Sequence, residues 1–512
     1  MALEPLSGSN AFTWSSVNKC TRSILYLEKN ASVQFFANMH SPLNYHDDVN
    51  TRTGWYVARL KMITQIDIEN FKLFDKKSFK FNSEFNLIAG VNGCGKSSLL
   101  KALAISLAGW AHAYIKNEWN LRPISDDEIR EIELDGRFDL TKRTSITAHG
   151  VFPIINRYAS ATNGKVSWTR SRSEGFDMTV LSGKIQYQNR GTGSFSQEYN
   201  LNLSTLGWDV LSYIEKGQTF DLPVIAFYEC DRLWISKGDI DVESSAQKQF
   251  SRFEPYTDCF HTGADDKAIS EWLLKLELSE IQKKTPSPMK SAIEFAAKGA
   301  MENCIGFGFD FDESRVMVRF EDGSSIPFEH LSDGQRTILG LFCDIARRAA
   351  ILNPHMKEDV CTETQGVVLI DELDLHLHPK WQRRVIEDLR TIFPKMQFIC
   401  TTHSAFLIQS LRSAEELLLL DGEPLLEYDS KGIEEIARNM GVQSPEFSLR
   451  YKEMKQISHD FLDILDSEEL SKEEFHERYR QQLAELIAPY SDNPAFQAFL
   501  ERKYTSKTGH EL

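Results

Sequence analysis

Paired cysteines, a surplus of positive charge, long apolar runs and sustained heptads are all missing from this 512-residue chain. The 8 cysteines are scattered with no C-x-x-C pair, which argues against a disulfide framework and against a zinc knuckle. No apolar run approaches a membrane span, and the polar and aromatic amino-terminal stretch has no signal-peptide core. A cytoplasmic protein with no membrane partner is therefore expected. The formal net charge of −16 argues against a broad nucleic-acid coat, though it leaves room for a local basic groove. Two clusters are candidates for such a groove: Lys165, Arg170 and Arg172 around Trp168, and Lys283, Lys284 and Lys290. A solvated face is the plainer reading of either. Core material is not scarce: 41% of the residues are hydrophobic, enough for substantial cores in two or more compact units.

The most specific feature is Gly90-Val-Asn-Gly-Cys-Gly-Lys96-Ser97, which reads G-x-x-x-x-G-K-S. It follows a strand-like apolar run, Asn86–Ala89, and precedes a helical pattern. That is the layout of a phosphate-binding loop. Its glycines (Gly90, Gly93, Gly95) let backbone N–H groups, with Asn92 and Ser98 nearby, curl around a triphosphate. Lys96 adds a point charge, and the Ser97 hydroxyl is placed to hold Mg²⁺. The following helix directs its positive end at the same phosphates. ATP with Mg²⁺ is the expected ligand.

Three further motifs follow in order. Leu331-Ser-Asp-Gly-Gln335 reads LSxGQ and opens a helix over 337–352; alone it would be a helix cap made by Ser332 or Asp333. Val367–Ile370 is an apolar strand ending in Asp371 and Glu372, as a strand covered on both faces should look. Phe398–Thr402 is another, ending in His403, which alone would read as an ordinary strand-end histidine. Together the four point to a nucleoside triphosphatase site. Asp371 joins Ser97 around Mg²⁺, Glu372 orients or deprotonates the attacking water, and His403 reaches the γ-phosphate. Ser332, Gly334 and Gln335 at the second helix start make a further anion site.

The set GVNGCGKS, LSDGQ, VVLIDE and TTHS resembles the ABC-type ATPase heads of the SMC and RecF class, as does the entry strand Ile68-Glu-Asn-Phe-Lys72. More narrowly, Ile345-Ala-Arg-Arg348 and Asp371-Glu-Leu-Asp-Leu-His-Leu-His-Pro-Lys-Trp-Gln-Arg383 resemble stand-alone AAA-annotated bacterial ATPases, above all the ATPase subunits of Septu anti-phage systems, also found beside retrons. The resemblance implies an α/β, ABC-type P-loop NTPase head with a mixed sheet and flanking helices. It implies head-to-tail pairing into a homodimer or higher oligomer, with each LSDGQ helix covering the other chain's ATP. Asp374 is implied to communicate between the two sites. A separate HNH-type nuclease, and in retrons a reverse transcriptase, are the implied partners. The alternative is a RecF-like repair ATPase that binds DNA itself. His376 and His378 look like a metal pair but fall in the family's own run after the strand acids, so no metal is expected there. The transporter glutamine has no clear counterpart: Glu229, Arg232 or a backbone carbonyl could stand there, or Pro223–Arg232 could be an ordinary buried strand and loop.

The motif spacing divides the chain into an extension (1–61), a first ATPase half (62–115), a compact β-and-helix insertion (116–305), a second ATPase half (306–428) and a helical carboxy-terminal region (429–512). The extension is expected to be dispensable for ATPase activity. Strands are expected at 144–152, 166–172 and 176–181, and helices at 265–278, 289–301, 433–440, 450–465 and 473–486. Leu99, Leu100, Leu103 and Leu107 form one apolar helix stripe, and Trp381, Val385, Leu389 and Ile392 another.

Overall fold

The computed structural model describes residues 61–512 except 116–120, 135–136, 141–142, 157–159, 174–178, 188–194, 196–197, 231–250, 261–265, 286, 422–430, 441–447, 467–470 and 491–492. The extension up to residue 60, Arg232, and the first part of the strand expected at 176–181 lie outside the described residues.

Four mostly apolar segments form strands of a parallel sheet. They are β3 (Phe85–Ala89), β9 (Val224–Tyr228), β13 (Gly366–Ile370) and β14 (Met396–Thr401), each buried at every position. Only a sheet covered on both faces gives such strands a place to bury both sets of side chains. With β15 (Leu417–Leu419) the order is β15-β3-β14-β13-β9, all neighbours parallel. The Pro223–Tyr228 segment thus becomes an edge strand of the core sheet.

A second sheet is antiparallel, in the order β2-β1-β6-β7-β8: β1 Gln65–Phe71, β2 Phe74–Lys80, β6 Arg143–Ile155, β7 Ala161–Ser173 and β8 Val180–Tyr187. The strand expected at 176–181 therefore begins at Val180 and runs on to Tyr187, and the other two extend several residues beyond their expected ends. Strand β1 pairs with β6, setting Ile68 opposite Ile146. One sheet is thus built from strands on both sides of residue 116, and β9 joins the core sheet. The segment 116–305 is consequently interwoven with the head, not set apart from it. Two small additions complete the strands: a hairpin, β4 (Glu131–Leu134) with β5 (Arg137–Leu140), and a three-stranded sheet of β10 (Cys304–Asp310), β11 (Arg315–Phe320) and β12 (Ser325–Pro327).

Helix α1 (Lys96–Ala111) runs between the two large sheets. Its four leucines are fully buried as expected, but so are Ala102, Ala104, Ile105 and Ala108. The helix is therefore buried nearly all round, and its apolar surface is no single stripe. From Lys96 the chain passes through α2 (Leu203–Glu215), α3 (Asp266–Lys283) and α4 (Pro288–Ala300) to α5 (Asp333–Leu352), which starts four residues before the expected 337 because Ser332 caps it. Helix α6 (Val385–Ile392) buries Val385, Leu389 and Ile392, with Trp381 partly buried beside it.

The first basic cluster is only partly internal: Lys165 is exposed, but Trp168 and Arg170 are not. Trp168 is fully buried and donates from Nε1 to the Ser106 carbonyl at 2.9 Å. Arg170, also buried, donates to the carbonyls of Ile105 at 2.9 Å and Leu121 at 3.0 Å, and burial with Arg122 nearby pushes its pKa down to about 9. Arg172 donates to the Ile124 carbonyl and pairs with Asp126. In the second cluster Lys290 lies between Glu277 (2.6 Å) and Glu280 (3.1 Å). Arg170→Leu is therefore expected to lower stability by about 1–3 kcal/mol through the two carbonyls it strands. Urea unfolding checks this; an unchanged midpoint would return Arg170 to the surface.

After a short helix, Ile433–Asn439, the carboxy-terminal region folds on a small core of its own: α7 (Leu449–Asp466), α8 (Lys472–Ile487) and α9 (Pro494–Thr508) bury Phe461, Leu465, Phe475, Leu483, Leu500 and Tyr504 together. Helix α9 was not expected. Its start signal is Asn493 followed by Pro494, an N-cap side chain that accepts from the Phe496 N–H and a proline at the first helical position. Among the described residues no helix is long and apolar enough to cross a membrane, the cysteines are free, and no group of three or more His, Cys, Asp or Glu side chains is arranged to hold a metal. His378 instead caps a helical turn, accepting the Lys380 N–H on Nδ1.

Candidate functional site

The chemistry-bearing residues lie where the parallel strands end. In such sheets the carboxyl edge is the open edge, because the crossover helices cover the faces. Strand β3 runs into the phosphate loop, its neighbour β14 into Thr401–His403, and the next strand, β13, into Asp371 and Glu372. Three separate sequence motifs thus arrive side by side on adjacent strands.

The loop itself needs its glycines. Gly95 has φ +103°, and a Cβ there would lie 2.8 Å from the Phe74 ring and 2.9 Å from Leu73, both on the β1–β2 turn and its start. Gly93 has φ +84° with open space around it, so conformation alone demands glycine. Lys96 is buried, and its ammonium donates to the carbonyls of Gly90 at 2.9 Å and Val91 at 3.0 Å, which pins the loop's curl. Asn92 and Ser97 are exposed and Ser98 half-buried at the mouth of the loop. The first turn of α1 carries no acidic side chain to compete with a bound phosphate.

The two acids are held by β14. The Thr401 hydroxyl donates to Asp371 Oδ1 at 2.5 Å and accepts the Glu372 N–H at 2.7 Å. Asp371 is buried, and its own N–H donates to the Tyr228 carbonyl at 2.8 Å on the other side. Glu372 sits at φ +49°, an uncommon conformation for a non-glycine residue that costs on the order of 1–3 kcal/mol. It persists because the Thr401 side chain and the Leu373 N–H to Thr401 carbonyl bond (2.9 Å) hold the turn from both sides. Next, the Thr402 hydroxyl donates to Asp374 Oδ1 at 2.5 Å, and the same oxygen accepts the His403 N–H at 3.3 Å. Asp374 therefore positions the backbone that presents His403, which is exposed. Ser404 Oγ donates to Gln382, whose amide donates to the Leu377 carbonyl, so the LHLHPKWQ run and the TTHS strand end lock together.

Ser332 caps α5 in a reciprocal box: its N–H and hydroxyl both donate to Gln335 Oε1, at 3.1 and 2.9 Å. The cap reading of this motif therefore holds. Gly334 is buried, and a Cβ on it would lie 2.5 Å from the His376 carbonyl oxygen. The signature helix start thus packs directly on the chain that follows Asp374. His376 is itself at φ +60°.

Sequence reasoning placed the four motifs but missed Thr401, Thr402 and Gln382, which hold the acids and the histidine in register. A polar Thr-Thr pair ending an otherwise apolar strand was the available signal.

A parallel sheet with a phosphate loop after one strand, paired acids after a second and a histidine after the strand between them, together with an LSDGQ-capped helix, defines a P-loop ATPase head of the ABC type. The comparisons with known proteins find AAA-domain family models and ATPases. Residues 65–294 match the family model "AAA domain", and residues 238–409 match "AAA domain, putative AbiEii toxin, Type IV TA system". The chain is similar to the Retron Vc95 probable ATPase of Vibrio cholerae serotype O1 biovar El Tor, at 27% identity over 70% of this chain and 74% of that one. It is similar to the Retron Ec83 probable ATPase of Escherichia coli, at 24% over 70% and 72%. It is also similar to the Septu protein PtuA of Bacillus thuringiensis, at 23% over 70% and 76%. Among solved structures, an SMC head bound to the C-winged helix domain of ScpA matches with a TM-score of 0.39, at 14% identity, over 70% of this chain and 94% of that one.

Proposed function

We propose that this ATPase binds ATP in the Gly90–Ser98 loop, pairs head to tail with a second copy around it, and uses hydrolysis to control a partner nuclease in anti-phage defence. The observation that carries the hydrolytic part is the Thr401 bridge, which holds Asp371 and Glu372 beside the phosphate-loop strand's neighbour. In this reading Lys96 neutralises the terminal phosphates, Glu372 orients and deprotonates the attacking water, and His403 donates to the γ-phosphate. Asp374 keeps His403 in place. The exposed Ser97 hydroxyl and the Asp371 carboxylate, an all-oxygen donor pair, fit Mg²⁺, which supplies charge neutralisation at the phosphates when bound. Ser332, Gly334 and Gln335 form the face offered to the second copy's nucleotide: Ser332 is exposed at a helix start, where N–H groups favour anions.

The relatives named for retrons and for Septu support the defence reading, and an HNH-type nuclease, with or without a reverse transcriptase, is the partner it implies. The RecF-like alternative needs a basic DNA surface; Arg170 is internal and Lys290 is paired with two glutamates, which leaves Lys165, Lys283 and Lys284 as the exposed members of the two clusters. Two measurements test the proposal. Ser332→Arg is expected to keep ATP affinity within about twofold while abolishing ATP-dependent dimers in light scattering, because a bulky side chain at an exposed cap blocks contact without disturbing the core. A Ser332→Arg variant that still dimerises would exclude the head-to-tail arrangement. Purification of the tagged chain with its chromosomal neighbours is expected to recover a nuclease in fixed ratio; recovery of the ATPase alone, or with repair proteins, would move the assignment to the RecF-like role.

A further inference from the structure

Beneath the site lies a buried ion cluster that the proposed mechanism does not use. Asp344, Arg347 and Arg348 sit on α5, the helix that Ser332 caps, and all three are buried. Arg347 Nε donates to Asp344 Oδ1 at 3.0 Å and Arg348 Nε to Oδ2 at 2.7 Å. Arg348 also reaches Asp258 and the Pro255 carbonyl, both at 2.8 Å, and Arg347 reaches Glu254 at 3.3 Å. Burial alone would push the Asp344 carboxyl up, but the Arg348 and Arg347 guanidiniums outweigh it and hold the group ionised. Its second oxygen accepts the Tyr228 hydroxyl at 2.8 Å. Burial and the adjacent Asp344 push the Tyr228 phenol well up, so this hydroxyl stays a donor.

Tyr228 is the last residue of β9, and its carbonyl accepts the Asp371 N–H. One residue therefore touches the signature helix through its side chain and the strand-end acid through its backbone. A buried ion cluster is poor evidence of a stability device, since apolar packing of the same volume often does as well or better. This cluster ties α5 to the end of β9 through the Tyr228–Asp344 bond and to residues 254–258 through Arg347 and Arg348. A helix transmits a displacement along its length as a stiff rod, so movement at Ser332 reaches Asp344 three turns away.

We propose that Tyr228 is a positioning residue for the hydrolytic acids, tied through Asp344 to the signature helix, so that each head's Asp371 and Glu372 respond to what Ser332 and Gly334 of the same chain are touching. This rests on the ATPase reading above. In the head-to-tail pair the Tyr228–Asp344 bond would link the two nucleotide sites, one seen by the helix start and the other by the acids.

The test is steady-state ATP hydrolysis by the full chain, with nucleotide affinity measured by calorimetry and melting temperature followed alongside. Tyr228→Phe removes one oxygen and keeps the ring. It is expected to lower kcat about tenfold, as loss of a charge-assisted hydrogen bond should, with KM and ATP affinity within about twofold. Asp344→Asn should do the same, and the double variant should be no worse than the poorer single, because both remove one link. A wild-type kcat in Tyr228→Phe overturns the inference. So does a loss in which ATP affinity and melting temperature fall along with kcat, the mark of a merely structural role. Where Asp344→Asn does not fold, Tyr228→Phe decides alone. Glu372→Gln runs in the same assay: full turnover there sinks the catalytic reading itself, whereas an inactive Glu372→Gln beside a fully active Tyr228→Phe sinks only the coupling.

Discussion

Glu372→Gln is expected to bind ATP as tightly as the wild type and to hydrolyse it about 100-fold or more slowly, the contribution of a positioned general base. The amide matches the carboxylate in size, and the features that place residue 372 are in its backbone: φ +49° and the N–H donated to Thr401 Oγ1. Neither depends on the side-chain charge. The substitution therefore removes a proton acceptor and leaves the turn intact. Single-turnover kinetics with radiolabelled ATP measures the rate, and light scattering should show ATP-bound dimers accumulating. Hydrolysis at the wild-type rate would move the base to another group. Asp374 is a poor candidate for that role, since one of its oxygens already holds Thr402 and His403.

Lys96→Ala has the other large effect. Loss of the ammonium is expected to weaken ATP binding by about 100-fold, the upper range for hydrogen bonds to a charged group. It also removes the two bonds to the Gly90 and Val91 carbonyls, so the loop loses its internal tie as well as its charge. Lys96→Arg separates the two contributions. It keeps the charge, but the wider guanidinium must fit where the ammonium is buried, so it should recover little binding. Calorimetric titration of ATP into each variant checks both. Affinity within a few-fold of wild type in Lys96→Ala would mean that the backbone amides and the α1 amino terminus carry phosphate binding unaided.

The two variants act on opposite ends of the same cycle, which makes them a pair. Lys96→Ala should give a chain that neither binds nor dimerises, and Glu372→Gln one that binds and stays dimeric. Any partner that copurifies with only one of the two reports which nucleotide state it recognises.

Much of the site could be read in the sequence because its working parts are contiguous. A glycine-rich turn between an apolar strand and a helix, two acids at a strand end and a hydroxyl at a helix start have local meaning. Backbone geometry over a few residues dictates where their side chains and N–H groups go. The same locality made the strand cores at 224–228, 367–370 and 398–400 visible as apolar runs, and helix α9 was there to be read in Asn493 and Pro494. The register between distant segments was not readable in this way. That β1 pairs with β6, that Arg170 turns inward to the Ile105 and Leu121 carbonyls, that Thr401 spans to Asp371 and Glu372, and that Tyr228 meets Asp344 all depend on contacts between residues far apart in the chain. Basic residues around a tryptophan look alike in sequence whether they face water or a helix's carbonyls, because only the packing of the whole sheet decides which side is covered. The sequence by itself determined the chemistry at each strand end. The tertiary structure alone decided which ends meet, since strand order and burial come from long-range pairing that no local pattern encodes.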